Sequence, residues 1–201
     1  MRVSEVSMEG LAAAIAERGW VECPGFLDVA RCAALRAEAE GLRRSGRFRA
    51  AGIGHHAERR EDIRSDELLW IDPTLAPLAA AVLQGELETL RMAVNAATYL
   101  GLHEFEGHYT AYPPGASYAR HLDRFRDDDR RVVSVVLYLN DGWAAADGGE
   151  LKLYLEDGAE AVTVLPEAGT LVCFLSAGLP HEVLPARRLR LSLTGWFRRR
   201  G

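Results

Sequence analysis

The stretch LPHEVLPARRLRLSLTGWF, residues 179–197, alternates strictly over its second half. Leu189, Leu191 and Leu193 fall on one side of an extended chain, and Arg190, Ser192, Thr194 and Trp196 fall on the other. A period of two marks a strand with one apolar face. The polar face either meets water or lines a cavity in which Arg190 holds an anion. Parity alone does not separate Arg190 from Arg188, which shares its side. Upstream, further strand-like runs follow one another: EFEGHYTAYP (104–113), SYARHLD (117–123), RRVVSVVLYLND (130–141), GELKLYLE (149–156), AVTVLP (161–166) and GTLVCFLS (169–176). HEVLP (181–185) and RLRLSLTGWF (188–197) complete the series, and Pro, Gly, Asn and Asp separate the runs. Strands spaced this closely imply a β-sandwich or barrel, and eight of them imply a jelly roll.

The first half has a different character. Ser7 is placed to cap a helix running to about Arg18, with Leu11 and Ile15 on one face, and Asp28 caps a second from Val29 to about Arg44. A third helical pattern, rich in Ala and Leu, runs from about Thr74 to Tyr99. Between the second and third, glycines and charges break any period until ELLWI (67–71) gives a short strand, so residues 45–63 read as a long mobile loop. The expected architecture is α+β: a jelly-roll core over residues 104–201, buttressed by helices within 1–103, all in a single domain spanning 1–201.

At 201 residues, with 48% hydrophobic and 8% aromatic side chains, the chain has the composition of a soluble globular domain. It shows no stretch of roughly 20 apolar residues and no uncharged apolar core behind a basic start, which leads to the expectation of a cytoplasmic protein without a membrane partner. Cys23, Cys32 and Cys173 are odd in number and lack CxxC spacing, as expected of buried reduced thiols. A net charge of −5 argues against nucleic acid as a partner. A local exception lies between Arg43 and Arg64, where seven arginines face only Glu58, Glu61 and Asp62.

His121 and Asp123 lie two apart in an extended run and project to the same side. One imidazole and one carboxylate make an incomplete metal site. His181, 58 residues after Asp123 and at the start of a late strand, is the candidate third ligand. Together they form a 2-His-1-carboxylate triad, which occupies one face of Fe(II) and leaves positions open for substrate and O₂. Arg190 follows His181 by nine residues.

His121-Leu122-Asp123 with His181 and Arg190 resembles the iron(II)- and 2-oxoglutarate-dependent dioxygenases, whose core is a double-stranded β-helix of the jelly-roll kind. YPPGASYARHLD (112–123), VVLYLND (135–141), GGELKLY (148–154), PHEVLPA (180–186) and RLSLTGWF (190–197) look like segments of the prolyl hydroxylases of the hypoxia-inducible-factor type and their bacterial relatives, in the same order. DIRSDELLWID (62–72) resembles the stretch that ends that group's mobile substrate-covering loop. The resemblance implies that His121, Asp123 and His181 hold Fe(II). It also implies that Arg190 and Tyr138 hold the far carboxylate of 2-oxoglutarate, and that Tyr112 lines the cosubstrate pocket, with Tyr109 its substitute because the loop to His121 is a residue shorter than in the animal enzymes. Thr194 and Trp196 share the face of Arg190 and are expected in the same cavity. Arg64, Asp66 and Arg131 are expected on the substrate side, with Asp66 paired to Arg131 so as to tie the loop region to the barrel. The reaction so implied consumes O₂ and 2-oxoglutarate, with ascorbate as a reductant, and gives succinate, CO₂ and 4-hydroxyproline in a protein substrate. Elongation factor Tu is the type of target for a bacterial relative, and oxygen sensing is a role the group suggests.

Overall fold

The computed structural model describes residues 7–52, 60, 62–124, 128–155 and 161–201. Helix α1 (Met8–Arg18) starts at Ser7, whose hydroxyl accepts from the Gly10 amide. Helix α2 (Val29–Arg44) starts at Asp28, whose carboxylate accepts from the Arg31 amide at 2.9 Å. Both caps satisfy amide groups that the first helical turn leaves without partners. Strand β1 (Trp20–Cys23) lies between these helices. Strands β2 (Arg49–Ala50) and β3 (Glu67–Trp70) follow. The third helical pattern resolves into α3 (Pro77–Val82) and α4 (Glu88–Thr98), joined by a π-helical turn at Leu83–Leu87. All eight strands read from residue 104 onward form: β4 (Leu102–Tyr112), β5 (Tyr118–His121), β6 (Arg131–Tyr138), β7 (Leu151–Tyr154), β8 (Ala161–Val164), β9 (Leu171–Leu175), β10 (His181–Val183) and β11 (Arg190–Arg199).

Among the described residues the strands make two antiparallel sheets. The larger has the order β1-β9-β6-β11-β4-β3-β2 and the smaller β5-β10-β7-β8. Their facing produces the double-stranded β-helix. Two strands in the first half depart from the sequence expectation. β1 is too short to show an alternation of its own and is held at the sheet edge by pairing with β9. β2 falls inside the stretch expected to be a loop. The remainder of that stretch at 53–59 and 61 lies outside the described residues.

The pleat of the larger sheet explains the alternation in residues 188–197. Leu191, Leu193 and Phe197, with Tyr109 and Ala111 on β4 and Val133, Val135 and Leu137 on β6, face the helices, where they pack with Ile15, Leu35, Leu87, Leu90 and Val94. Each large aliphatic side chain buried there contributes about 1.5–3 kcal/mol relative to exposure. The opposite face looks at the smaller sheet, where Tyr112, Val136, Tyr138 and Phe174 meet Leu151, Leu153 and Val183. Arg190, Ser192 and Thr194 point into that interior, so the polar face of β11 is turned between the sheets, with Arg190 and Ser192 buried.

Candidate active site

β5 and β10 pair antiparallel with His121 opposite His181, which sets the two imidazoles side by side with ring centroids 4.2 Å apart. Asp123 follows β5 by two residues and turns its carboxylate toward both. Oδ1 lies 3.5 Å from His121 Nε2 and Oδ2 lies 3.6 Å from His181 Nε2. One donor atom from each residue lies within 4.8 Å of the others, which suits a common metal ion. In each imidazole Nδ1 is turned to a backbone carbonyl, Ala119 O at 2.7 Å and Leu179 O at 3.1 Å. A carbonyl only accepts, so Nδ1 carries the proton and the Nε2 lone pair is free for a metal. Burial pushes His181 down to about 4, against the opposing pull of Asp123, which keeps it in the neutral form that ligation needs. Burial alone would raise Asp123, but the facing His181 and His121 and a hydrogen bond from Ser134 hold it well below the usual carboxylate range.

A narrow cavity runs inward from this cluster between the sheets, lined by Tyr112, Phe174, Arg190, Ser192 and Thr194 among others. Arg190 is 2% exposed and donates through Nε to the Gly149 carbonyl at 2.8 Å. Its guanidinium carbon stands 4.9 Å from the ring of Tyr112 and 5.0 Å from that of Tyr138. Gly149, at φ +74°, has no room for a β-carbon, which would lie 2.8 Å from Ala186 Cβ and 3.2 Å from Arg190 Cδ. The Tyr138 hydroxyl and Thr110 Oγ1 are buried and lack a hydrogen-bond partner of good geometry among the described residues. Burial pushes the Tyr138 phenol up to about 12, and the Tyr112 phenol well above its ordinary value, so both remain hydrogen-bond donors at neutral pH. A buried cation beside two neutral phenols and a spare hydroxyl has the chemistry that suits a carboxylate.

On its outer side the cluster opens into a groove of about 600 Å³, and Asp123 lines both spaces.

The family model described as the 2OG-Fe(II) oxygenase superfamily matches residues 107–198, which holds the three ligand candidates and Arg190. The solved structure of a Pseudomonas putida prolyl-4-hydroxylase is 48% identical, with 97% of this chain and all of that chain covered and a TM-score of 0.89. The chain belongs to the 2OG-Fe(II) oxygenases. A Trichoplax adhaerens prolyl hydroxylase, solved with a hypoxia-inducible-factor peptide fragment, is 27% identical over 95% of this chain and 88% of that one, with a TM-score of 0.83. The hypoxia-inducible factor prolyl hydroxylase of Caenorhabditis elegans is 28% identical over 90% of this chain. This oxygenase spans 27% of the length of that nematode protein.

Fe(II), 2-oxoglutarate and O₂ are therefore its cofactor and cosubstrates, and the donor set fits them: two imidazoles and a carboxylate for iron, and a buried arginine for a dicarboxylate. Arg188 leaves the oxygenase's interior to Arg190. It is exposed, donates to the carbonyls of Asp141 and Gly142 and lies over the ring of Trp143. Tyr112 reaches the inner cavity, whereas Tyr109 sits on the helix side of β4 and donates to Glu38 at 2.8 Å. Thr194 lines the inner cavity, and Trp196 stands at the junction of cavity and groove. Arg64 also lines both spaces, over the Tyr118 ring at 4.6 Å.

The expected bridge between Asp66 and Arg131 does not form. Asp66, 2% exposed, is held bidentately by Arg64 at 2.6 and 2.9 Å, and it lines neither space. Arg131 bonds to Glu106 at 3.2 Å and lies over the Trp196 ring at 3.4 Å. Arg64 and Asp66 are two apart on an extended chain, so their side chains share a face and meet before either reaches across the groove.

Several site residues carry no signal in the motif spacings. Ser134 donates to Asp123 Oδ2 at 2.7 Å, and Ser176 stands behind it at 2.8 Å. Tyr118 stacks on His121 with centroids 3.4 Å apart. His108, pushed down to about 3 by burial and by Arg64 and Arg131, stacks on Trp196 at 5.3 Å, and its Nδ1 has no partner among the described residues. Strand parity does reach them, since Ser134 shares a face with Tyr138 and His108 with Tyr112.

Proposed function

We propose that this oxygenase hydroxylates a prolyl residue within a protein, turning 2-oxoglutarate and O₂ into succinate and CO₂ and leaving 4-hydroxyproline. The observation that carries this reading is the position of the His121, Asp123 and His181 cluster, between a narrow cavity holding Arg190 and an open groove of about 600 Å³. The cavity suits a small dicarboxylate. The groove, flanked by Trp70 and Leu122 that are each 45% exposed, suits a segment of chain better than a free amino acid. The similar Pseudomonas putida and Trichoplax adhaerens proteins are prolyl hydroxylases, which supports the same assignment.

In this reading His121, Asp123 and His181 hold iron through the two Nε2 atoms and the carboxylate. Arg190 and Tyr138 hold the far carboxylate of 2-oxoglutarate, and Tyr112 and Thr194 close the pocket around it. When bound, iron(II) with its cosubstrates supplies an oxidant strong enough to cut an unactivated C–H bond. The protein's own contribution is placement: Arg190 orients the cosubstrate, Phe174 and Val183 keep the inner wall apolar, and Arg64, Arg131 and Trp196 shape the mouth through which substrate arrives. The substrate is a cytoplasmic protein, with elongation factor Tu the type of target. Three buried free thiols fit a reducing compartment, and no helix among the described residues is long and apolar enough to cross a membrane.

The test is anaerobic addition of Fe(II) and 2-oxoglutarate, followed by the weak visible charge-transfer band. The band is expected in the native protein and lost in His121→Ala. Admission of air with a cell extract as substrate source is then expected to add the mass of one oxygen atom to proline-containing peptides, read by mass spectrometry. Decarboxylation coupled to free proline or another metabolite, with no protein labelled, would overturn the assignment.

A further inference from the structure

The outer groove is far more basic than the chain that builds it. Six arginines line it, Arg47, Arg49, Arg64, Arg130, Arg131 and Arg198, against three carboxylates, Glu106, Asp123 and Asp128, in a protein whose net charge is −5. Four of the arginines are engaged by acids: Arg64 by Asp66, Arg130 by Asp128, and Arg131 and Arg198 by Glu106. The remaining two differ. Arg47 and Arg49 are exposed at and beside the edge strand β2 and meet no carboxylate among the described residues. Arg49 donates through Nη1 to the carbonyls of Gly46 and Phe48, neutral groups that hold one edge of its guanidinium and leave its charge uncompensated. Next to them stand Leu68 and Trp70 of β3, which share a face and form an apolar shelf on the same wall.

We infer that the groove receives a protein segment carrying carboxylates a few residues from the target proline, with Arg47 and Arg49 as their partners. The inference rests on the prolyl-hydroxylase reading and narrows its substrate class. Two arginines that meet no acid among the described residues hold their charge for a partner, whereas those already paired add little to attraction. A guanidinium further gives bidentate geometry to a carboxylate, so the pair sets register along the groove as well as affinity. A phosphate backbone is less suited. Glu106 and Asp128 stand in the same groove and repel a continuous run of anions, and His108 and Trp196 are buried against each other rather than offered to bases.

The experiment compares two short labelled peptides, each with a central proline, one flanked by aspartates and the other by asparagines at the same positions. Binding is measured to the Fe(II)- and 2-oxoglutarate-loaded protein under argon, at low and high salt. The aspartate peptide is expected to bind about tenfold tighter, the effect of two partly exposed ion pairs. That preference is expected to shrink with salt, to vanish in Arg47→Gln/Arg49→Gln and to persist in part in Arg47→Lys/Arg49→Lys. Retention of the visible charge-transfer band in each variant shows that the fold and inner site are intact. Equal affinity of the two peptides for the native protein overturns the proposal, as does a preference that survives the glutamine variant or a short oligonucleotide that displaces the aspartate peptide at equal charge. Admission of air then reads the underlying activity separately. A bound aspartate peptide left without an added oxygen contradicts the prolyl-hydroxylase reading, whatever the charge preference.

Discussion

Ser134→Ala is expected to weaken metal binding while leaving all three proposed ligands in place. Ser134 Oγ lies 2.7 Å from Asp123 Oδ2 and 2.8 Å from Ser176 Oγ, and the two serines are 1% and 0% exposed. The ionised carboxylate can only accept, so the single proton of Ser134 is committed to Asp123 and Ser176 must donate in the second bond. The alanine variant removes a hydrogen bond to a charged group, worth about 1.5–3 kcal/mol, and strands a buried Ser176 hydroxyl. Part of that loss appears as stability and part as freedom of the Asp123 carboxylate to turn away from His121 and His181. Loss of a partner that orients a metal ligand costs about 10–100-fold in metal affinity, or roughly 1.4–2.7 kcal/mol. Ser176→Ala acts only through Ser134 and is expected to cost less.

Titration of the metal-free protein with Mn(II), a redox-inert stand-in for Fe(II), by calorimetry or electron paramagnetic resonance, gives the affinity directly. The sign of the pH dependence separates orientation from protonation. Loss of the serine donor raises the Asp123 pKa, but from a starting point so far below the ordinary carboxylate range that the group stays ionised at neutral pH. The ratio of variant to native affinity is therefore expected to be flat between about pH 6 and pH 8. An unchanged Mn(II) affinity would show that Ser134 does not orient Asp123, and a ratio that recovers steeply with pH would show that protonation is the cause.

Arg190→Gln is expected to raise the KM for 2-oxoglutarate by about 30–1000-fold, from about 2–4 kcal/mol for one half of a buried charge pair. Arg188→Gln, which loses contacts only to the Asp141 and Gly142 carbonyls, Asp147 and Trp143, is expected to leave it nearly unchanged; steady-state kinetics on both decides between the arginines. Gly149→Ala places a β-carbon 3.2 Å from Arg190 Cδ at φ +74°, so the same KM is expected to rise with Arg190 still present and Mn(II) affinity intact. In the metal-free protein, His108 and His181 are pushed by burial to about 3 and about 4, below the ordinary histidine value. Between each lowered value and the ordinary one the unfolded chain binds more protons, so stability falls as pH drops from about 6.5 toward 4, by up to about 1.4 kcal/mol per pH unit for each histidine. Denaturant titrations of His108→Leu in that window are expected to lose about one histidine's share of the slope, and an unchanged slope would refute the burial of His108 as a neutral group.

Much of the inner site is legible because strand parity is a rigid rule. Once residues 188–197 are taken as a strand with leucines against the helices, Ser192, Thr194 and Trp196 must share the other face, and β4 and β6 follow by the same alternation. Parity does not say where a strand begins. β11 starts at Arg190, and Arg188 lies in the bend before it, where alternation has no meaning. Nor does parity give register between strands. The stacking of Tyr118 on His121 and the donation of Ser134 to Asp123 depend on which residues of separate elements come opposite each other. β1 escaped because four residues fixed by pairing to a neighbour carry too short a pattern to outweigh flanking helices.

The pairing of Asp66 with Arg64 rather than Arg131 changes how the mouth of the site is held. A carboxylate with a bidentate partner two residues away has no lone pairs in a convenient direction for a second arginine across the groove, and bringing Arg131 to it would bury two cations around one anion. The near pair therefore forms, and burial, which alone would lower the Arg64 pKa, is outweighed by Asp66 so that the guanidinium stays charged. Fixed in this way, Arg64 lies on Tyr118, and Tyr118 lies on His121. Arg131 is released to Glu106 and to the face of Trp196 on the opposite side. The entrance is thus gripped by two separate arginine-on-aromatic contacts, one tied to the stretch 62–66 and to a proposed iron ligand, the other tied to β4, β6 and β11. A change in residues 62–66 accordingly has a direct packed route to His121 that does not pass through the Arg131 side.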